Sequence, residues 1–300
     1  IMSALPSAGS ITLPASIREA ALPDGEREYY ARDVYRSGEL PLAVVRPRSR
    51  EQLRTLVVDA ANAGLALVTR GGGASYTDAH FARTRAAILI DTGALDRVLS
   101  IDEADMIVTV EPGITWAALD AQLAARGLKV PFVGTFSGLA ATVGGTVSQN
   151  ANGHGSNASG ISADSVIAVE VLTPRGEFLR TATAGSAERP SWFRNYGPDL
   201  TGLFLGDSGA LGIKTAVVLK LLRRKPAFEA ASFAFADFRK MHACMARLAG
   251  ERIEDKSFGL DQALQQGQIA RQDASTRWDV ARSVWRSSPS ALAGARSLLR

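Results

Sequence analysis

Two glycine-rich stretches carry the residue types best placed for ligand chemistry: Arg70-Gly71-Gly72-Gly73-Ala74-Ser75-Tyr76-Thr77-Asp78, and Thr142-Val143-Gly144-Gly145-Thr146-Val147-Ser148-Gln149-Asn150-Ala151-Asn152-Gly153-His154-Gly155. The first follows Leu65-Ala66-Leu67-Val68-Thr69, an apolar run that reads as a buried strand, so the glycines fall where the chain must turn tightly. Such a turn presents backbone N–H groups. Successive glycines let those groups approach a pyrophosphate with no Cβ in the way, while Ser75 and Thr77 add hydroxyls and Arg70 adds positive charge. A P-loop would need Gly-Lys-Ser/Thr after the glycines, and a Rossmann fingerprint would need G-x-G-x-x-G opening a helix; neither is present. Taken alone, the cluster is equally compatible with a plain turn between a strand and a loop.

The elements that must position these stretches can be read in order. Residues 1–38 form a lead-in with a short helical patch near Ala15 to Ala21, and Tyr29, Tyr30 and Tyr35 are placed to pack on the next domain. Leu42 to Val45 reads as a strand. Ser49 caps a helix to about Asn62, with Leu53, Leu56, Val57 and Ala60 on one face and Gly64 as terminator. The strand 65–69 then delivers the first glycine loop at its carboxyl end, where a β-α-β unit binds ligands. Strands are expected at 86–91, 98–101 and 106–110. Thr115 caps a helix from Trp116 to about Ala125, and a hairpin joins 166–173 to 178–181. A short helix at 200–205 and a long strand at 213–222 come next, and Pro226 marks a boundary. Beyond it, 228–235 alternates as a strand and 236–249 reads as an amphipathic helix. The segment 131–165 is almost uncharged and rich in Gly, Ser, Thr, Ala and Asn, a composition suited to lining a site whose ligand satisfies its backbone.

Composition narrows the function classes. The 300 residues are 46% hydrophobic with a net charge of only +4, and the basic clusters 46–54 and 223–225 are interrupted, which argues against nucleic-acid binding. One cysteine, Cys244, excludes an intramolecular disulfide, and three dispersed histidines argue against a metal site. No run of apolar residues is long enough for a membrane span and no secretory signal opens the chain, so a soluble, cytoplasmic protein is expected. The Ile1-Met2 opening and the helical character of 290–300 suggest a fragment.

Six features in order resemble the FAD-binding, PCMH-type domain of the vanillyl-alcohol oxidase and p-cresol methylhydroxylase flavoprotein superfamily. They are Val44-Val45-Arg46-Pro47 with Ser49 to Leu53 after it, the loop Arg70 to Ser75, Glu111-Pro112-Gly113 before a Trp-containing helix, Thr142 to Gly145, the Val171 to Glu177 hairpin, and Gly209 to Ile213. The resemblance covers about residues 40–225. It implies an α+β fold of two subdomains holding FAD (39–225), preceded by the lead-in (1–38) and followed by the start of an α+β cap or substrate domain (226–300). It also implies roles. Arg70, Gly71, Gly72, Gly73, Ala74, Ser75 and Tyr76 would bind the pyrophosphate, and Pro112 and Gly113 would lie near the cofactor. Thr142, Gly144, Gly145, Thr146, Ser148, Gln149, Asn152 and Gly153 would line the ribityl and ring side, and Ser137 and Gly138 would also bind the cofactor. Gly160, Val166, Ile167 and Val169 would approach the adenine side.

Two departures from the family pattern bear on chemistry. Members that bind FAD covalently carry a His where Ala74 stands, and Cys244 lies outside the matching region, so the resemblance implies non-covalent FAD. In the flavin-facing loop several relatives carry His-Gly where this chain has Asn152-Gly153, with His154 one step beyond. His154 and Asn152 are the catalytic candidates. An imidazole there could exchange a proton with a substrate hydroxyl, or be a structural His bonded to a nearby carbonyl. The expected activity is hydride transfer from an alcohol carbon, such as that of a 2-hydroxy acid or sugar-type substrate, to flavin N5. The electron acceptor and oligomeric state are open. An NADPH-dependent reductase of the same fold and a non-catalytic FAD- or nucleotide-binding module are the competing readings.

Overall fold

The computed structural model describes residues 12–33, 36–134, 138–153, 155–182, 193–195 and 197–263. Two helices open it: α1 (Ala15–Ala20) and α2 (Arg27–Tyr30). The first sheet is built from β1 (Ala43–Val45), β2 (Ala66–Arg70) and β3 (Ala87–Asp91), all parallel in the order β1-β3-β2. Helix α3 (Arg50–Asn62) connects β1 to β2, and the Ser49 side chain caps it by accepting from the Gln52 N–H. Its buried Leu53, Leu56, Val57 and Ala60 pack with Ile17, Val45, Ile88 and Ile90 into one core, to which Leu172 and Ile213 of the second sheet also belong.

The second sheet is antiparallel and five-stranded. Its strands are β4 (Val98–Asp102), β5 (Ile107–Val110), β7 (Val166–Leu172), β8 (Phe178–Arg180) and β9 (Ile213–Lys220), in the order β4-β5-β9-β7-β8. A short ribbon pairs β6 (Leu128–Lys129) with β10 (Leu222–Arg223). Helix α4 (Trp116–Ala124) is capped by Thr115, whose hydroxyl accepts from the Ala118 N–H. Its Trp116, Leu119 and Leu123 join Phe132, Val143, Val147, Val169, Val217 and Leu219 in a second core. The fold is α+β, and the first core joins the two sheets through Leu172 and Ile213.

The polar segment 131–165 contains α5 (Val143–Gln149), α6 (Ser156–Ser159) and α7 (Ser162–Ser165). One expectation is corrected. Residues 228–235 form no strand, because nothing among the described residues pairs with their backbone, and Phe228 and Phe233 stand 91% and 70% exposed. The helix read after them is present as α8 (Phe238–Glu251). No helix among the described residues is long and apolar enough to cross a membrane.

Candidate functional site

The parallel sheet delivers the first glycine loop. Arg70 ends β2 and is buried, with its guanidinium 4.8 Å and 4.9 Å from the ring centres of Tyr29 and Tyr30. Cation–π contact with both rings holds it beneath the loop, yet its Nε has no hydrogen-bond partner. Gly73 takes φ +68°, and a Cβ there would strike the Arg70 guanidinium. Gly72 is more constrained still, since its Cβ would lie 1.6 Å from the Ala140 carbonyl oxygen. Among the described residues the backbone N–H groups of Gly72, Gly73, Ala74 and Ser75 meet no acceptor. Four consecutive free donors above a buried cation form an anion cradle.

The second wall is α5. Thr142 caps it through the Gly145 N–H, and the Gly144 N–H donates to the Pro112 carbonyl at 2.8 Å, an approach that leaves no space for a side chain. Trp116 Nε1 donates to Thr146 Oγ1 at 2.8 Å in the buried interior, fixing the helix from behind. Asn150 ends α5 in the left-handed conformation, and its Oδ1 accepts from the Ala163 N–H. A third wall, 206–214, ties itself to the end of α5 through Gly206 N–H to Val147 O and Ser208 N–H to Ser148 O. Hydroxyls and amides cross the walls: Ser75 meets Thr77, Thr77 donates to Gln149 Oε1 at 2.9 Å, and Gln149 Nε2 reaches Ser208.

Between these walls lies a cleft of about 390 Å³. Of the residues singled out from sequence, Arg70, Gly71, Gly72, Gly73, Ala74, Ser75, Tyr76, Pro112, Thr142, Gly144, Gly145, Thr146, Ser148, Gln149 and Asn152 line it. Gly113, Gly138, Gly153, Gly160, Val166, Ile167 and Val169 do not. Gly138 instead packs on Trp116, Gly153 on Phe132, and Val166 and Val169 belong to the core. Ser137 and His154 lie outside the described residues.

Several lining residues had no assigned role in the sequence, among them His80 and Lys214. His80 is buried, and its Nε2 lies 3.1 Å from the Arg32 carbonyl oxygen. Burial holds this imidazole below its usual value, with the Arg70 cation adding to the effect. Burial likewise pushes the Lys214 ammonium down, against its ion pair with Asp207 at 2.6 Å. Among the described residues no carboxylate lines the cleft, and no group of three or more His, Cys, Asp or Glu could hold a metal.

A dinucleotide fits this donor set. Free amides and buried cations suit phosphates, and glycines lining the cleft suit close approach of a planar ring to the backbone. Residues 41–182 match the family described as FAD binding domain. An uncharacterized FAD-linked oxidoreductase of Mycobacterium tuberculosis is 30% identical over 229 residues, covering 75% of this chain and 48% of the relative. The mitochondrial D-lactate dehydrogenase (cytochrome) of Arabidopsis thaliana is 30% identical over 187 residues, 62% of this chain and 31% of its own. Glycolate oxidase subunit GlcD of Bacillus subtilis is 28% identical over 194 residues, with 65% and 39% covered. The chain thus spans about half the length of the mycobacterial relative and less of the other two. A solved structure of alkyldihydroxyacetonephosphate synthase superposes with a TM-score of 0.60 at 24% identity, covering 70% of this chain and 40% of that one, and shows the same fold.

Proposed function

Because the chain belongs to the FAD-binding domain family of the vanillyl-alcohol oxidase and p-cresol methylhydroxylase flavoproteins, we propose that it is the cofactor-holding part of an FAD-dependent oxidoreductase that oxidises hydroxy acids. The observation that carries this reading is the row of four amide donors, Gly72 to Ser75, that meet no acceptor among the described residues, set over the buried Arg70 and opening into a cleft that no described carboxylate lines. Those amides take the pyrophosphate, and Arg70 adds charge that the two tyrosine rings orient but do not neutralise. Gly144 and Gly145 line the cleft with no side chain to stand between α5 and a bound ligand. Ala74 carries only a methyl group, so the FAD is held without a covalent link. When bound, FAD supplies the acceptor for the hydride leaving the substrate carbon.

The chain's own part in catalysis is to position and to move a proton. Asn152 lines the cleft, and its Oδ1 accepts from the Gly153 N–H, which leaves Nδ2 as a donor toward a ligand oxygen. An amide takes no proton at neutral pH, so Asn152 orients and His154 is the proposed acceptor of the hydroxyl proton. D-Lactate and glycolate, named for two of the relatives, are the first substrates to try.

The test is an absorption spectrum of the purified protein, repeated on pellet and supernatant after acid precipitation, followed by anaerobic addition of each hydroxy acid. Flavin bands released to the supernatant and bleached by a hydroxy acid are expected. Colour kept in the pellet would refute the non-covalent assignment. Flavin that no hydroxy acid bleaches but NADPH does would replace the oxidation reading with a reductase.

A further inference from the structure

Lys214 stands at a position where the fold itself has no use for a charge. It lies near the start of β9, opposite Val171 of β7, in the run Ile213-Lys214-Thr215-Ala216-Val217. Its side chain is 2% exposed and its partner Asp207 3% exposed. Desolvating an ammonium and a carboxylate together is costly, and apolar side chains of similar volume would fill such a site at least as well. Asp207 does serve the local backbone, since its carboxylate accepts from the N–H groups of Gly209 and Leu211 and so shapes the turn before β9. That turn needs an acceptor oxygen at position 207 and makes no demand on Lys214.

The placement of the two groups explains the pair. Lys214 borders the cleft and Asp207 does not, so the carboxylate holds the ammonium from behind. Among the described residues Asp207 is the single acceptor for an ammonium with three donors. The neighbouring Gly209 approaches Thr69 at the end of β2, beside the first glycine loop, so the lysine sits on the wall facing the anion cradle. We propose that Lys214, held by Asp207, is a second cationic anchor of the cleft, donating hydrogen bonds to acceptor oxygens of the bound dinucleotide. The inference rests on the FAD reading. Two parts of FAD present the required acceptors, the pyrophosphate and the carbonyl oxygens of the flavin ring. Which of the two the lysine meets is not fixed by Arg70 and the glycine amides, and partial ligands distinguish them.

The experiment compares wild type, Asp207→Asn and the double variant Asp207→Asn/Lys214→Met in binding FAD, with ADP and riboflavin as partial ligands competing for the same cleft. The double variant removes the ammonium without stranding a buried carboxylate, and Asn keeps a carbonyl for the Gly209 N–H. Its melting temperature without ligand should equal or exceed that of wild type. Its FAD affinity should fall roughly 10- to 100-fold, as expected for loss of a charge-assisted hydrogen bond. Asp207→Asn alone leaves the buried ammonium without its carboxylate and should lower both the melting temperature without ligand and the FAD affinity. A loss shared by FAD and ADP but not riboflavin assigns the lysine to the phosphates. A loss shared by FAD and riboflavin but not ADP assigns it to the ring, and either result supports the anchor. FAD binding by the double variant within about twofold of wild type would overturn it. So would an equal loss for all three ligands accompanied by a lowered melting temperature, which marks a purely structural pair. Wild type that binds no FAD would remove the functional reading and the anchor with it.

Discussion

Substituting Gly72 by Ala tests the central claim that the first glycine loop is a cradle made by close backbone approach. The added Cβ would lie 1.6 Å from the Ala140 oxygen and 2.7 Å from its carbonyl carbon, whereas real Cβ atoms stay beyond 3.0 Å. The difference, 3.0 − 1.6, requires a shift of about 1.4 Å between two backbone segments, neither of which can turn away as a side chain would. Overpacking of this kind costs about 3 kcal/mol, the upper part of the usual range. For a domain of this size that corresponds to roughly 6–12 °C in Tm. The same shift moves the free amides of Gly72 to Ser75 out of register. Losing two hydrogen bonds to a charged ligand, each worth about 1.5–3 kcal/mol, weakens FAD binding by about two orders of magnitude or more. Thermal melts with and without FAD, and a titration of flavin fluorescence, measure both effects. Gly25→Ala is the control, since nothing lies within 4 Å of its Cβ position, and it should leave Tm and affinity unchanged. Gly72→Ala protein that melts with wild type and retains FAD would refute the close approach and the cradle together.

Three further outcomes are expected. Gly71→Ala places a Cβ 2.2 Å from Thr142 Oγ1 but 3.5 Å from the next atoms, so the damage should shrink by at least about 1 kcal/mol on a Thr142→Ala background; urea unfolding of the two single variants and the double variant reads the coupling. Trp116→Phe removes the donor to Thr146 and leaves a void in the second core, at a cost of about 2–4 kcal/mol seen as a lower urea midpoint. For His80 the folded imidazole sits below its ordinary 6.5, so the unfolded chain binds the extra proton between those two values. Stability contributed by neutral His80 is therefore complete above 6.5 and declines as pH falls through 6.5 toward the folded value. Tm measured between about pH 7.5 and 5 should fall less steeply in His80→Gln than in wild type; parallel slopes would contradict the burial argument.

How much of this was legible beforehand depends on how local the cause is. The caps at Ser49 and Thr115, the buried face of α3 and the strand that delivers Arg70 are written in neighbouring residues, and the structure has them where the spacing predicts. Helix α5 was not legible, because Val143-Gly144-Gly145 is a poor helix-forming sequence. Its stability comes from elsewhere: the Thr142 cap, the Gly144 bond to Pro112, and Trp116 bracing Thr146. The residues that weaken it as a helix are the ones that let it approach Pro112. Alternation across 228–235 misled in the opposite sense, since a strand exists only where a second backbone supplies its ladder.

The cation balance of the cleft was hidden for the same reason. Lys214 reads as one polar residue in a strand pattern until the turn at 207–211 folds Asp207 behind it and brings Gly209 against Thr69 of β2. Arg70 reads as a charge flanking glycines until two tyrosines from the lead-in, far away in sequence, stack on it. Each cation is held by groups that do not line the cleft, a carboxylate in one case and aromatic rings in the other, while among the described residues no carboxylate lines the cleft. Holding a charge from behind keeps it buried without neutralising it toward the cleft, which is what an anionic ligand requires and a packed core does not. The lead-in is therefore part of the site. Tyr29→Leu, which removes one ring from Arg70 but touches no part of the glycine loop, should weaken FAD binding while leaving riboflavin unaffected, and equal retention of both ligands would show that Arg70 needs no such support.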